Sequence, residues 1–209
     1  MKTILCYGDS NTWGWNPRTR SRYDRDVRWP GVLRNALGKD YWVIEEGQNG
    51  RTTVWDDPIE GHKNGHTYLP PCLDSHHPLD LVIIMLGSND LKARFSVTAF
   101  DIAQSAGVLV DVVQQSAFGP DGGPPQVLLI APPPVGKLSE FAEMFTGAAE
   151  KAARLGDYYR QVAAEKGCHF LNASEIVVPS EADGLHLDAS EHEKLGLAVA
   201  SKVRDIFSA

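Results

Sequence analysis

Ile4-Leu5-Cys6-Tyr7-Gly8-Asp9-Ser10-Asn11 runs an apolar segment directly into a small, polar, sharply turning tetrad. Residues 2–7, bounded by Gly8, read as a buried parallel strand rather than an amphipathic edge strand. In open α/β sheets ligand sites lie beyond the carboxyl ends of such strands, so Ser10 stands where chemistry is usually placed. Taken alone, the tetrad suits equally well a strand-to-loop turn set by Gly8 and Asp9, with Ser10 as a cap. Distant segments decide between the two.

Apolar runs recur at residues 2–7, 41–46, 79–86, 127–131 and 169–172, with helical patterns between most of them. That alternation predicts an α/β fold with a five-stranded parallel sheet and crossover helices. Trp29-Pro30 opens one helix, with Val32, Leu33, Ala36 and Leu37 on its apolar face and Gly38 at its end. Residues 54–78 are loop-rich: Asp57-Pro58, Gly61, Gly65 and Pro70-Pro71 interrupt any long element, which leaves a short helix near 68–75. Ile102, Ala106, Leu109 and Val113 mark one face of a helix over about 98–116, with Thr98 and Asp101 as its start signal. Ala152, Leu155, Tyr159 and Val162 mark the next, which Gly167 can end. In the last helix Asp188 and Glu191 form a capping-box-like start before the stripe Leu195, Val199, Val203 and Ile206.

A chain of 209 residues with 43% hydrophobic and 22% charged residues suits one soluble domain, residues 1–209, with a full core. No apolar run is long enough to span a bilayer, and the first residues lack the basic and apolar regions of an export signal. The expectation is a cytoplasmic protein. A formal net charge of −7 argues against nucleic acid and against an anionic membrane surface as partners. The run Arg18, Arg20, Arg22, Arg25 and Arg28 is interrupted by Asp24 and Asp26, which predicts a solvated, self-paired loop. Cys6, Cys72 and Cys168 cannot all pair within one chain and are expected to be reduced and structural.

With the strands parallel, Ser10, Gly50, Asn89 and the Asp183/His186 pair fall at one rim of the sheet. Acyl transfer needs a nucleophile, a base, an orienter for the base and donors for an oxyanion, and these residue types fill those roles. Ser10 would attack an ester carbonyl, and His186 would take its proton and pass it to the leaving alcohol. Asp183 would fix the tautomer of the imidazole. The backbone N–H groups of Ser10 and Gly50 and the amide of Asn89 would surround the oxyanion. Candidate substrate-binding residues are Asp9, Asn11 and Asn49 beside these groups, with Trp13 and Trp15 as an aromatic wall.

Gly8-Asp9-Ser10-Asn11, Gly50, Gly87-Ser88-Asn89-Asp90 and Asp183-Gly184-Leu185-His186 resemble, in order and spacing, the four diagnostic blocks of the SGNH (GDSL-type) hydrolases. Gly8 to Trp15, Glu45-Glu46-Gly47 with Arg51-Thr52-Thr53, and Ile83-Ile84-Met85-Leu86-Gly87 are most similar to the bacterial arylesterase/acyltransferase branch. The resemblance implies a flavodoxin-like three-layer α/β/α sandwich and a cofactor-free serine esterase or acyltransferase. Its substrates would be short-chain acyl and aryl esters, with water or an alcohol as acyl acceptor, and it would assemble as a homo-oligomer. Asn11 stands where the family's nickname has leucine, and Gln48-Asn49-Gly50-Arg51 departs from the commoner second block. Both departures bear on acyl-chain preference.

His76-His77 near Cys72 offers no complete tetrahedral ligand set, so no metal is expected. The segment 132–145, with Phe141, Met144 and Phe145, would cover the cleft or meet another subunit. Within the same family the alternatives are a carbohydrate acetylesterase or a lysophospholipase. Outside it stands a flavodoxin-like small-molecule-binding protein, against which the lack of a phosphate-binding fingerprint argues.

Overall fold

The computed structural model describes residues 1–208. Strand β1 (Lys2–Gly8) leads into a single turn, α1 (Ser10–Trp13), and a short antiparallel hairpin of β2 (Trp15–Asn16) and β3 (Ser21–Arg22). Then follow α2 (Trp29–Leu37), β4 (Tyr41–Gly47), α3 (Gly65–His76), β5 (Leu81–Met85), α4 (Ala99–Gln114), β6 (Gln126–Ala131), α5 (Ala148–Lys166), β7 (His169–Asn172) and α6 (Ala189–Ser208). The main sheet has five strands in the order β4-β1-β5-β6-β7, and all of its pairings are parallel. This is the α/β arrangement expected from the alternating runs.

Side chains alternate across each strand, so β1 sends Leu5 and Tyr7 to one face and Ile4 and Cys6 to the other. Leu5 and Tyr7 pack with Val82, Ile84 and the apolar faces of α3, α4 and α5. Ile4 and Cys6 pack with Ile83, Met85, Trp29 and Leu33 of α2, and Leu195, Val199 and Val203 of α6. Helices therefore cover both faces, which is why the strands read as continuous apolar runs. Chain order reverses at β1, which lies between β4 and β5, so a crevice opens beyond its carboxyl end. Among the described residues no helix is long and apolar enough to cross a membrane.

Three local expectations are corrected. Pro70 and Pro71 do not interrupt α3, which runs 12 residues through them. Asn64 caps its start by accepting the Thr67 N–H, and Leu69, Cys72 and Leu73 bury its inner face, offsetting the N–H groups the prolines lack. The capping box at α6 does not form. Asp188 is taken by the Arg18 guanidinium through two 2.8 Å bonds, and Glu191 accepts the Val178 N–H at 3.0 Å. The start signal expected at α4 is a capping box, with Thr98 and Asp101 bonding reciprocally. Finally, the arginine-rich loop pairs mainly outside itself: Arg18 with Asp188, Arg20 with Glu140, and a buried Arg28 with Glu45. Its partners come from strand ends and loops that folding brings over it.

Candidate active site

Strand β1 ends at the crevice, and Asp9 turns the chain into α1 by accepting the Asn11 N–H at 2.9 Å. Ser10 is the first residue of that turn, where backbone N–H groups have no partner within the helix. Its Oγ lies 2.9 Å from His186 Nε2. On the other side of the ring, Nδ1 lies 2.6 Å from Asp183 Oδ2. Asp183 Oδ1 also accepts the Leu185 and His186 N–H groups, both at 2.9 Å, so the carboxylate holds its own loop and the imidazole together. Burial works to raise this carboxyl, but the bonds from His186 and the two N–H groups outweigh it and keep it below the usual range.

The loop between Asp183 and His186 needs a glycine. Gly184 has φ +77°, and a Cβ there would sit 2.4 Å from the Lys137 carbonyl oxygen. The Gly136 N–H in turn donates to the Gly184 carbonyl at 2.8 Å, so residues 136–138 buttress the loop. From the opposite side Asn11, 2% exposed, accepts the Leu187 N–H at 3.2 Å and donates to the Leu185 carbonyl at 3.4 Å.

Two further segments complete the rim. Gln48 N–H bonds the Gly8 carbonyl at 3.1 Å and starts the turn that presents Asn49 and Gly50. Gly50 has φ +81°, and a Cβ there would meet Glu60 Oε2 at 2.6 Å. Beyond β5, Asn89 is 8% exposed and donates from Nδ2 to the Arg51 carbonyl at 3.1 Å, leaving its second amide hydrogen toward the cleft. Asp90 beside it accepts from the Thr53 backbone and hydroxyl. Burial pushes Asp90 up to about 6, against the pull of the Thr53 bonds and with a further push from Asp9.

The cleft over Ser10 encloses about 180 Å³. Ser10, Asn11, Trp15, Asn49, Gly50, Asn89 and His186 all line it. Its apolar wall is Trp15, Phe141, Met144, Phe145 and Leu185, so of the segment 132–145 the end from Phe141 to Phe145 lines the cleft. Asp183 stands behind the imidazole, 3% exposed. Two of the expected substrate-binding residues do not line the cleft. The Asp9 carboxylate is buried as the cap of α1, and Trp13 lies under the Arg22 guanidinium, 4.9 Å from its ring centroid. The turn of α1 sends those side chains away from Ser10 Oγ.

Sequence reading missed Arg51, Glu60 and Lys92. Arg51 Nη1 donates to the Gly8 carbonyl at 2.8 Å and also to the Glu46 carbonyl, stapling the ends of β1 and β4. Lys92, 2% exposed, reaches Glu60 at 2.6 Å and Asp57 at 3.3 Å, and Arg94 joins both acids. Glu60 and Lys92 form the polar wall. Partners more than thirty residues apart leave no local signal. Among the described residues a group able to hold a metal is Glu46, Cys72 and His76, none of which lines this cleft.

The model of the GDSL-like Lipase/Acylhydrolase family matches residues 6–194, almost the whole chain. The chain belongs to the GDSL-like lipase/acylhydrolase family. Membership agrees with the blocks around Ser10, Gly50, Asn89 and His186, and it makes the protein a carboxylic ester hydrolase. Among solved structures of this family, the aryl esterase of M. smegmatis is 43% identical with a TM-score of 0.94, covering 98% of this chain and 99% of that one. Est24, a carbohydrate acetylesterase from Sinorhizobium meliloti, is 42% identical with a TM-score of 0.94, covering 99% of this chain and 100% of that one. A lipolytic G-D-S-L family member from Veillonella parvula is 12% identical with a TM-score of 0.69, covering 100% of this chain and 99% of that one, and shares the fold alone. No curated protein sequence matches the chain.

Proposed function

We propose that Ser10, His186 and Asp183 are the nucleophile, base and orienting carboxylate of this hydrolase, acting on short-chain acyl and aryl esters. The observation that carries the reading is the unbroken chain of contacts from Ser10 Oγ through His186 to Asp183, at 2.9 and 2.6 Å. His186 Nε2 takes the hydroxyl proton as Oγ bonds the ester carbonyl carbon. The resulting oxyanion accepts from the Ser10 and Gly50 N–H groups and Asn89 Nδ2. His186 then gives the proton to the leaving alcohol, the C–O bond breaks, and Ser10 carries the acyl group. A water or a second alcohol repeats the sequence in reverse and frees Ser10. Asp183, held ionised, stabilises the transient imidazolium without taking its proton.

A cleft of about 180 Å³ supports a small acyl group, and the aromatic wall supports an aryl or other flat leaving group. The likeness to the aryl esterase from M. smegmatis supports an aryl ester as substrate. A second reading, an acetylated sugar, draws on the polar Glu60–Lys92 pair lining the cleft and on the likeness to Est24. That apolar wall also favours an alcohol over water as acyl acceptor. We place the whole chain in one hydrolase domain working in the cytoplasm, consistent with its three free cysteines. Assembly into a homo-oligomer, carried over from the resemblance to the arylesterase/acyltransferase branch, is the remaining part of the proposal, and light scattering measures it directly.

A fluorophosphonate probe tests the nucleophile. Stoichiometric labelling that maps to Ser10 and disappears in Ser10→Ala is expected; labelling elsewhere, or none on folded protein, overturns the assignment. Product analysis with aryl acetates and acetylated sugars, with and without added alcohol, separates the substrate readings.

A further inference from the structure

Away from the cleft, β4 and α3 bring Glu46, Cys72 and His76 together, with one possible ligand atom from each and all three atoms within 4.8 Å of one another. Cys72 and His76 are four residues apart on α3, the spacing that puts two side chains on one helix face. Glu46 comes from β4, its Oε1 2.8 Å from His76 Nε2. The thiol is buried beneath, at 1% exposure, while the His76 and Glu46 side chains keep 28% and 21% and so leave a route from solvent.

We propose that Glu46, Cys72 and His76 form a binding site for a divalent cation of the zinc class, with water as the fourth ligand. Bonds of about 2.0–2.3 Å at tetrahedral angles set ligand atoms roughly 3.3–3.6 Å apart. The 2.8 Å contact between His76 and Glu46 has to open by less than an ångström, which rotation of the glutamate side chain supplies. Thiolate, imidazole and carboxylate together select a borderline-soft metal over magnesium or calcium.

On binding, the Cys72 thiol proton leaves to solvent, and thiolate and carboxylate together offset the metal's two charges. Two anionic ligands matter here, because the Arg51 guanidinium lies 5.2 Å from the Tyr68 ring centroid and adds positive charge on the same side. The Tyr68 hydroxyl, 3.4 Å from Glu46 Oε2, bonds the carboxylate oxygen that is turned away from His76.

Cobalt(II) titration of the full chain, stripped of metal and kept reduced, tests the assignment. Uptake of a single equivalent is expected, with a sulfur-to-cobalt charge-transfer band and the visible spectrum of a four-coordinate ion. Zinc displaces it; millimolar magnesium does not. Cys72→Ser abolishes the charge-transfer band, and Cys168→Ser leaves it intact. Glu46→Gln and His76→Gln sit at partly exposed positions that do not threaten folding, and each weakens binding by more than about tenfold, the loss that even an outer-shell change can cause. Absence of stoichiometric uptake, or a charge-transfer band that survives Cys72→Ser or both of the exposed substitutions, overturns the proposal.

Discussion

Asn11 Oδ1 accepts the Leu187 N–H at 3.2 Å, tying the residue after Ser10 to the residue after His186 across 176 positions of sequence. Its Nδ2 reaches the Leu185 carbonyl at 3.4 Å, so the two residues flanking the imidazole hang from one buried amide. Asn11 is thereby a positioning residue for the Ser10–His186 contact. Asn11→Leu leaves the Leu187 N–H unpaired and is expected to cost about 1–3 kcal/mol of stability. It should lower kcat on the order of ten- to a hundredfold with little change in KM, the signature of a misplaced base. Steady-state kinetics on an aryl acetate, alongside a thermal melt, check both; a change confined to KM would contradict the role.

Asn89 is held by the Arg51 carbonyl at 3.1 Å and so aims its amide before substrate arrives. Asn89→Ala removes one of three proposed oxyanion donors and should lower kcat by about 10²–10³, or about 2.7–4 kcal/mol. Fluorophosphonate labelling of Ser10 should persist at a reduced rate, since the proposed nucleophile and its proposed base remain. Wild-type kcat in the alanine variant would remove Asn89 from the oxyanion site.

Met144 stands on the apolar wall beside Phe141 and Phe145. Met144→Ala enlarges a cleft of about 180 Å³ and should shift the ratio of kcat/KM for butanoyl over acetyl esters upward by roughly tenfold, the scale of a methylene in an apolar pocket. A series of aryl esters differing only in acyl length measures it. An unchanged ratio would place the acyl group elsewhere in the cleft.

His192 is fully buried under Tyr23, with its Nδ1 accepting the Trp29 N–H at 3.3 Å. Burial, aided by His186 and Arg28, lowers it to about 3. A histidine lowered in the folded state supports stability above its unfolded pKa of about 6.5, and that support is lost as pH falls toward 3. Between pH 7 and 5 the loss is about 2 kcal/mol. Asp90, raised to about 6, acts in the opposite direction as it protonates below that pH, so the comparison must be with a variant and not with the bare pH curve. His192→Asn, which keeps an acceptor for Trp29, should be less stable than wild type at pH 7 and lose less stability between pH 7 and 5. Denaturant unfolding at both pH values reads the difference; parallel losses in the two proteins would exclude His192 as the source.

Much of this architecture is written locally. Five apolar runs, three of them ending at Gly8, Gly47 and Gly87, specify parallel buried strands, because strand burial and strand ends are properties of a few consecutive residues. Ser10, Gly50, Asn89 and His186 are legible for the same reason, since each follows the end of a strand or precedes a helix. Even the Thr98–Asp101 cap is readable, its partners three residues apart.

What the tertiary structure decided is direction and partnership. One turn of helix after Ser10 turns Asp9 and Trp13 away from the cleft while keeping Asn11 and Trp15 on it, a distinction that composition does not carry. Asp188 and Glu191, three residues apart like a capping pair, go instead to Arg18 and Val178, because a stronger or better-placed partner arrives from elsewhere in the fold. Lys92 with Glu60, Arg51 with Gly8, and Glu46 with Cys72 and His76 join segments that only chain topology makes neighbours. Local preferences set the elements, but a buried charge or amide takes the partner that packing places beside it, since leaving it unpaired costs more than any local bond returns.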